Sequence, residues 1–192
     1  MQNRGRKEQR GSGRFSLCRS CNTMLGTYYV RAYADFTKDL YDLLFLRAHN
    51  EREKLGPFLI ETRPLNFIKC ICRMALSISP PENDRFLEAM RDFVINRDVH
   101  RLPAGVRAFM YASRSTTVRQ FSSFAALTTH SGPVHFSELY STPIGVVLTF
   151  DSGPLDTRHM EITHFALYGY NQKAEVACTL PILSVDSSLP LY

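Results

Sequence analysis

Leu65 to Ile78 reads LNFIKCICRMALSI, apolar on nearly every side, with only Asn66, Lys69, Arg73 and Ser77 breaking the pattern. Pro64 stands just before it, where a helix needs no amide. A helix that is apolar all round belongs in an interior, so this stretch predicts the central buried helix of the fold. On its amino-terminal side, Phe36, Leu40, Leu43 and Leu44 fall at i, i+4, i+7 and i+8 from Asp35 onward, a helical stripe running towards Ala48. Gly56-Pro57, after the charged stretch from Arg47 to Lys54, predicts its end. On the carboxy-terminal side, Ser79-Pro80-Pro81-Glu82 has the form of a capping box. Phe86, Leu87, Met90, Phe93 and Val94 then make the apolar face of a third helix.

From Val106 the period changes. Val106–Ala112, Val118–Leu127, Val134–Tyr140, Ile144–Phe150, Ile162–Leu167 and Glu175–Leu183 are short, rich in β-branched and aromatic residues, and separated by Gly, Pro and Ser clusters. Helices first and strands afterwards predict an α+β fold, with amino-terminal helices packed on a carboxy-terminal antiparallel sheet. No repeat or long low-complexity linker divides the two parts. The expected organisation is a basic flexible arm over 1–16, a short module over 17–34 and one cooperative body over 35–192.

The charge is placed unevenly. Of the formal +5, all sits in residues 1–20, where Arg4, Arg6, Lys7, Arg10, Arg14 and Arg19 face Glu8 alone. The rest of the chain is formally neutral. A localised cationic arm with Gly5, Gly11 and Gly13 between its arginines has the character of a phosphate-seeking segment that orders on nucleic acid; the bland reading is an incidental, unstructured start. Nothing approaches the ~20 apolar residues needed to cross a bilayer, and Met1 to Ser20 has no apolar run of signal-peptide type. A soluble, cytoplasmic protein without a membrane partner is expected. The five cysteines, an odd number, fit a reducing compartment without structural disulfides.

Cys18-Arg19-Ser20-Cys21-Asn22 is the strongest chemical signal. Two thiolates three residues apart can hold one side of a tetrahedral zinc ion, but a structural site needs four ligands. Cys70 and Cys72 sit two apart on the buried helix, about 200° apart around it, so they cannot grip one ion together and read as core residues. Completion would need a distant ligand such as Cys178 or a histidine. A thioredoxin-like reading of the C-x-x-C is weaker, because no strand pattern precedes it.

Asp156, His159, Glu161 and His164 carry metal-capable and acid/base groups. Their spacing matches no mechanism-bearing pattern, and if Ile162–Leu167 is a strand, His159 and His164 fall on opposite faces. A solvated loop is the expectation. Tyr28, Tyr29 and Tyr33, with Arg31 among them, could stack on bases, although aromatic residues at the start of a helix more often pack on the core. There is no glycine-rich phosphate loop, G-x-S-x-G or dinucleotide fingerprint, and Asp151-Ser152-Gly153-Pro154 reads as a turn.

Leu17 to Gly26, LCRSCNTMLG, resembles the downstream half of the zinc-knuckle subset of HNH-endonuclease-like proteins. In that family an upstream C-x-x-C and this C-x-x-C-N together hold a structural zinc that braces a ββα-metal motif. A histidine-bearing segment between the halves supplies the general base and ligands for a catalytic divalent metal. The resemblance implies that Cys18 and Cys21 are zinc ligands, that Asn22 opens the helix of the motif and that Gly26 allows a close approach. From Tyr28 onward the chain resembles, more loosely, the long region that accompanies this knuckle in bacterial relatives. The departure is that no second C-x-x-C and no histidine precede Cys18, the first histidine being His49. The resemblance therefore implies no catalytic residue here.

Three functions follow as expectations. The first is a truncated or degenerate HNH-like protein that binds DNA through Arg4, Arg6, Lys7, Arg10, Arg14 and Arg19, which contact phosphates without reading sequence, and is not catalytically competent alone. The second is a protein- or ligand-binding α+β module with an incidental amino terminus. The third is an enzyme working from the carboxy-terminal His/Glu cluster.

Overall fold

The computed structural model describes residues 19–47, 53–79, 85–129, 132–153 and 157–184. The arm, Cys18, the proposed Ser-Pro-Pro-Glu cap beyond Ser79, and Asp156 lie outside them. Among the described residues the fold is α+β, with three α-helices in the first half, one strand set between the first two of them, and the remaining strands of two antiparallel sheets after them.

Helix α1 runs Arg19–Tyr41 and widens into a π-helical segment, Asp42–Arg47. Leu25, Tyr29, Ala32, Phe36, Leu40 and Leu44 are all buried at steps of three or four, so one apolar stripe runs the whole length. The helix thus begins well before Asp35, and it passes through residue 34 without interruption. Strand β1, Lys54–Thr62, is the next described element. The Gly56-Pro57 pair lies inside this strand and does not stop a helix. Gly56 has φ +111°, and a Cβ there would meet the Cys178 carbonyl oxygen at 2.5 Å. The pair marks the β-bulge between Leu55 and Phe58 where the register to the partner strand shifts.

Helix α2, Pro64–Ile78, is the buried centre that its sequence predicts, with Leu65, Phe67, Ile68, Cys70, Ile71, Cys72, Ala75 and Leu76 all inside. Each large side chain so buried stabilises by about 1.5–3 kcal/mol before chain entropy is counted. It packs on α1, on α3 (Arg85–Ile95), and on a short 3₁₀ turn, Thr163–Leu167. Lys69, apolar in its surroundings and 0% exposed, caps the far end of α3: its ammonium donates to the carbonyls of Phe93 and, at 2.6 Å, Asn96. Those carbonyls belong to the group that a helix end leaves without intrahelical partners. Tyr29 ties α1 to the same end by donating to the Val94 carbonyl at 2.8 Å.

The main sheet has the order β3-β4-β5-β2-β6, with β2 at Val106–Ala112, β3 at Arg119–Thr129, β4 at Gly132–Ser141, β5 at Ile144–Phe150 and β6 at Met160–Glu161. β7, Ala174–Pro181, pairs instead with β1. Ile162–Leu167 is not the expected strand. Its buried residues Ile162, Phe165 and Ala166 recur at a step of three to four, which a 3₁₀ turn can satisfy and a pleat cannot.

Pleating divides the sheet's side chains. Val106, Ala108, Met110 and Ala112 of β2, with Ile144, Val146, Leu148 and Phe150 of β5, join the helices in the principal core. Phe109, Tyr111, Phe136, Tyr140 and Val147 point the other way into a second apolar cluster, which Leu183 also enters.

Candidate functional site

Of the residues singled out from sequence, Arg4, Arg6, Lys7, Arg10, Arg14 and Cys18 lie outside the described residues. Arg19 and Cys21 fall in the first turn of α1 without a described side chain. Asn22 does not open that helix, which is already formed at Arg19; its side-chain oxygen instead accepts from Arg73 of α2. A Cβ on Gly26 would meet only the Arg73 guanidinium, at 4.0 Å, so no close approach depends on that glycine. Among the described residues, no group of three or more His, Cys, Asp or Glu side chains is gathered as a metal site.

Cys70, Cys72 and Cys178 are free thiols in the core. Burial pushes them up to about 11, 12 and 11 respectively, far from the thiolate form. The expectation that Cys70 and Cys72 are packing residues agrees with this. Of the three tyrosines, Tyr29 is fully buried, while Tyr28 and Tyr33 pack on the edge of the core.

The described members of the His/Glu cluster do not converge. His159 is buried, its ring stacked on Tyr111 at 5.4 Å between centroids. Glu161 forms a paired contact with Arg107, at 3.1 and 2.6 Å, which holds its carboxyl below the usual range. His164 stands at the surface edge-on to Phe165, at 5.0 Å. Three different environments are not an acid/base pair or a ligand set.

The structure contains two polar constellations that the sequence reading did not single out. The first lies in the second core. Glu138, 0% exposed, accepts from the Tyr111 hydroxyl at 2.8 Å and from Arg119 at 2.7 Å. Tyr111 stacks on Tyr140 at 6.0 Å, and the Tyr140 hydroxyl donates to the Ser115 carbonyl at 2.5 Å. Gly145 stands opposite Tyr111 in the β2–β5 ladder, and a Cβ there would lie 2.0 Å from the ring. The ring thus occupies the space that any other residue would fill. The signal was present: Glu138 shares the pleat face of Phe136 and Tyr140, and a carboxylate on an apolar face needs a partner.

The second is a cleft of about 440 Å³ between α1, the start of α2 and the turn before β7. Thr27, Tyr28, Arg31, Arg63, Tyr170 and Lys173 line it, with Asn66 and Asn171 at its base. Asn171 has φ +59°, a left-handed conformation that asparagine tolerates. Asn66 fixes that turn: its amide donates to Asn171 Oδ1 at 2.9 Å and to the Tyr28 carbonyl at 3.0 Å, and its oxygen accepts from the Asn171 amide at 2.9 Å. Tyr28 and Tyr170 meet edge to face at 6.2 Å, with the Arg97 guanidinium 4.8 and 5.1 Å from their centroids. No local motif could announce this site, because its residues come from widely separated parts of the chain and each type is ordinary by itself.

The fold and sites define an α+β protein with a buried carboxylate–arginine–tyrosine cluster and an open cationic cleft. No described helix is long and apolar enough to cross a membrane. No family model matches the chain, and neither the curated proteins nor the solved structures include a match to it.

Proposed function

We propose that the chain is a nucleic-acid-binding protein of the cytoplasm, related to HNH-type proteins, that contacts DNA through Arg4, Arg6, Lys7, Arg10, Arg14 and Arg19. The observation that carries this reading is the charge distribution: the whole formal excess of +5 lies in the first twenty residues. That segment leads into α1, whose Ser20, Asn22 and Thr23 are exposed. Such an arm supplies affinity by releasing counterions from the phosphate backbone and carries little sequence information. Cys18 and Cys21 serve as half of a structural zinc site, filled when two further ligands are supplied. No nuclease chemistry is assigned, because the histidine that the family resemblance implies is not among residues 1–17 and the described His159, Glu161 and His164 are dispersed.

The test is the affinity of the full chain for a short DNA duplex, beside a variant with Arg4, Arg6, Lys7, Arg10 and Arg14 replaced by Gln. The expected loss is more than about tenfold. Equal affinities would refute the reading.

The cationic cleft favours a second reading, in which the body itself binds a ligand. Its walls are charged and aromatic, and its base is ordered by Asn66.

A further inference from the structure

We propose that the cleft between α1, the start of α2 and the Tyr168–Lys173 turn binds a nucleotide unit, with its phosphate at Arg31, Arg63 and Lys173 and its base against Tyr28 and Tyr170. This rests on the reading of the body as a ligand-binding module and is independent of the arm.

The charge argument comes first. Three cations line the cleft and no carboxylate does, although the chain beyond residue 20 is formally neutral. The carboxylates nearby, Asp35, Asp39 and Glu61, line an adjoining depression that shares Arg31, Arg63 and Lys173. Two of the cations have partners there: Lys173 with Glu61 at 2.7 Å and Arg31 with Asp35 at 3.7 Å. All four of those side chains are more than half exposed. Water screens such pairs and they contribute little, so an anion bound by three cations at once displaces them. Arg63 forms no ion pair among the described residues, which leaves its planar fork available to a phosphate.

The second argument is shape. A volume of about 440 Å³ lies within the ~300–1,000 Å³ range of small-molecule sites. Two half-buried tyrosines, Tyr28 and Tyr170, line it, and an aromatic ring is a stacking partner that every base can use. Arg97 over both rings, and the Asn66 hydrogen bonds beneath them, hold that wall in place before a ligand arrives, so little ordering cost falls on binding. Phosphate alone would leave the aromatic wall unused, and a nucleoside alone would leave the cations unused.

The unit has two sources, a free nucleotide or one residue of a single strand. Calorimetric titration of the full chain with adenosine monophosphate, inorganic phosphate, adenosine and a ten-residue oligodeoxynucleotide separates them. Adenosine monophosphate is expected to bind more tightly than phosphate or adenosine, and at least about tenfold more weakly to an Arg63→Ala/Lys173→Ala variant. A charge-matched Lys54→Ala/Arg101→Ala control, altered outside the cleft and the depression beside it, should stay within about twofold. Neither substituted pair is buried, and an unchanged melting temperature verifies folding. Oligonucleotide binding displaced by adenosine monophosphate identifies the strand as source; oligonucleotide binding indifferent to Arg63 and Lys173 identifies the free nucleotide. Phosphate binding as tight as that of adenosine monophosphate, and lost in the cleft variant, would discard the nucleotide and keep a ligand-binding body. Binding of none of the four probes would discard both. The arm-neutralised variant should retain adenosine monophosphate binding whatever becomes of its affinity for duplex DNA.

Discussion

Arg119 and Glu138 meet on the second face of the main sheet, with Nη2 2.7 Å from Oε1 and Nε 2.5 Å from Oε2, and Glu138 wholly buried. A carboxylate in an apolar cluster is tolerated because the guanidinium and the Tyr111 hydroxyl replace the water it loses. The pair links β3 to β4, Tyr111 reaches it from β2 across β5, and the net contribution of such a buried pair to stability is smaller than its geometry suggests. Replacing Glu138 with Ala takes away the carboxylate and leaves Arg119 in a desolvated setting. The expected cost is roughly 3–5 kcal/mol in urea unfolding. An Arg119→Leu/Glu138→Leu double variant should lose less than the sum of the single replacements, and strict additivity would show the two side chains to be uncoupled.

Gly145 is fixed by Tyr111 in the same cluster. Gly145→Ala drives a methyl group into the ring, which is itself held between Tyr140 and His159. The variant should be destabilised by about 3 kcal/mol or more. Adding Tyr111→Leu should recover part of the loss, and a native-like melting temperature for Gly145→Ala alone would contradict the packing described.

Lys69 and the core thiols give opposite pH responses. Burial lowers the Lys69 ammonium from its ordinary value of 10.5 to about 8. Between those values the unfolded chain holds a proton that the folded one has released, so this group makes stability rise with pH. Cys70, Cys72 and Cys178 are raised by burial from 9.0 to about 11, 12 and 11. They contribute stability fully present below pH 9.0 and lost as pH rises through those values. The unfolding free energy of the wild type relative to Lys69→Met should therefore increase from pH 7 to pH 10. A difference independent of pH would mean that Lys69 is not held in the desolvated position at the end of α3.

Zinc content measures the half-knuckle. Two thiolates do not complete a tetrahedral site, so the chain on its own is expected to retain less than one zinc, unchanged by Cys18→Ser and Cys21→Ser together. One zinc per chain, lost in that double variant, would show that the fold or a second copy supplies the other ligands.

The parts of this fold legible in sequence are those whose pattern is local and strong. α2 is apolar all round, α3 shows one clear face, and β2 and β5 are dense in apolar residues, so each announces its class. β1 was hidden because Gly56-Pro57 has two meanings, a helix stop or a bulge. Only its pairing with Ala174–Pro181, more than a hundred residues away, decides between them. The start of α1 was obscured by the knuckle motif, which drew the boundary at residue 34 although Leu25, Tyr29 and Ala32 continue the stripe of Phe36. Ile162–Leu167 shows that apolar residues in a short run do not fix a period. Glu138 was readable as a charge on an apolar face, whereas the cleft was not readable, since Arg31, Arg63 and Lys173 become neighbours only through tertiary packing.

The salt dependence of duplex DNA binding tests the nucleic-acid-binding claim most directly. If the six arm cations Arg4, Arg6, Lys7, Arg10, Arg14 and Arg19 each neutralise a phosphate, the logarithm of the association constant should fall against the logarithm of salt concentration with a slope of about −5. Replacing Arg4, Arg6, Lys7, Arg10 and Arg14 by Gln should bring that slope to about −1. A full-chain affinity that is undetectable at low salt, or a slope that survives the replacements unchanged, would contradict it.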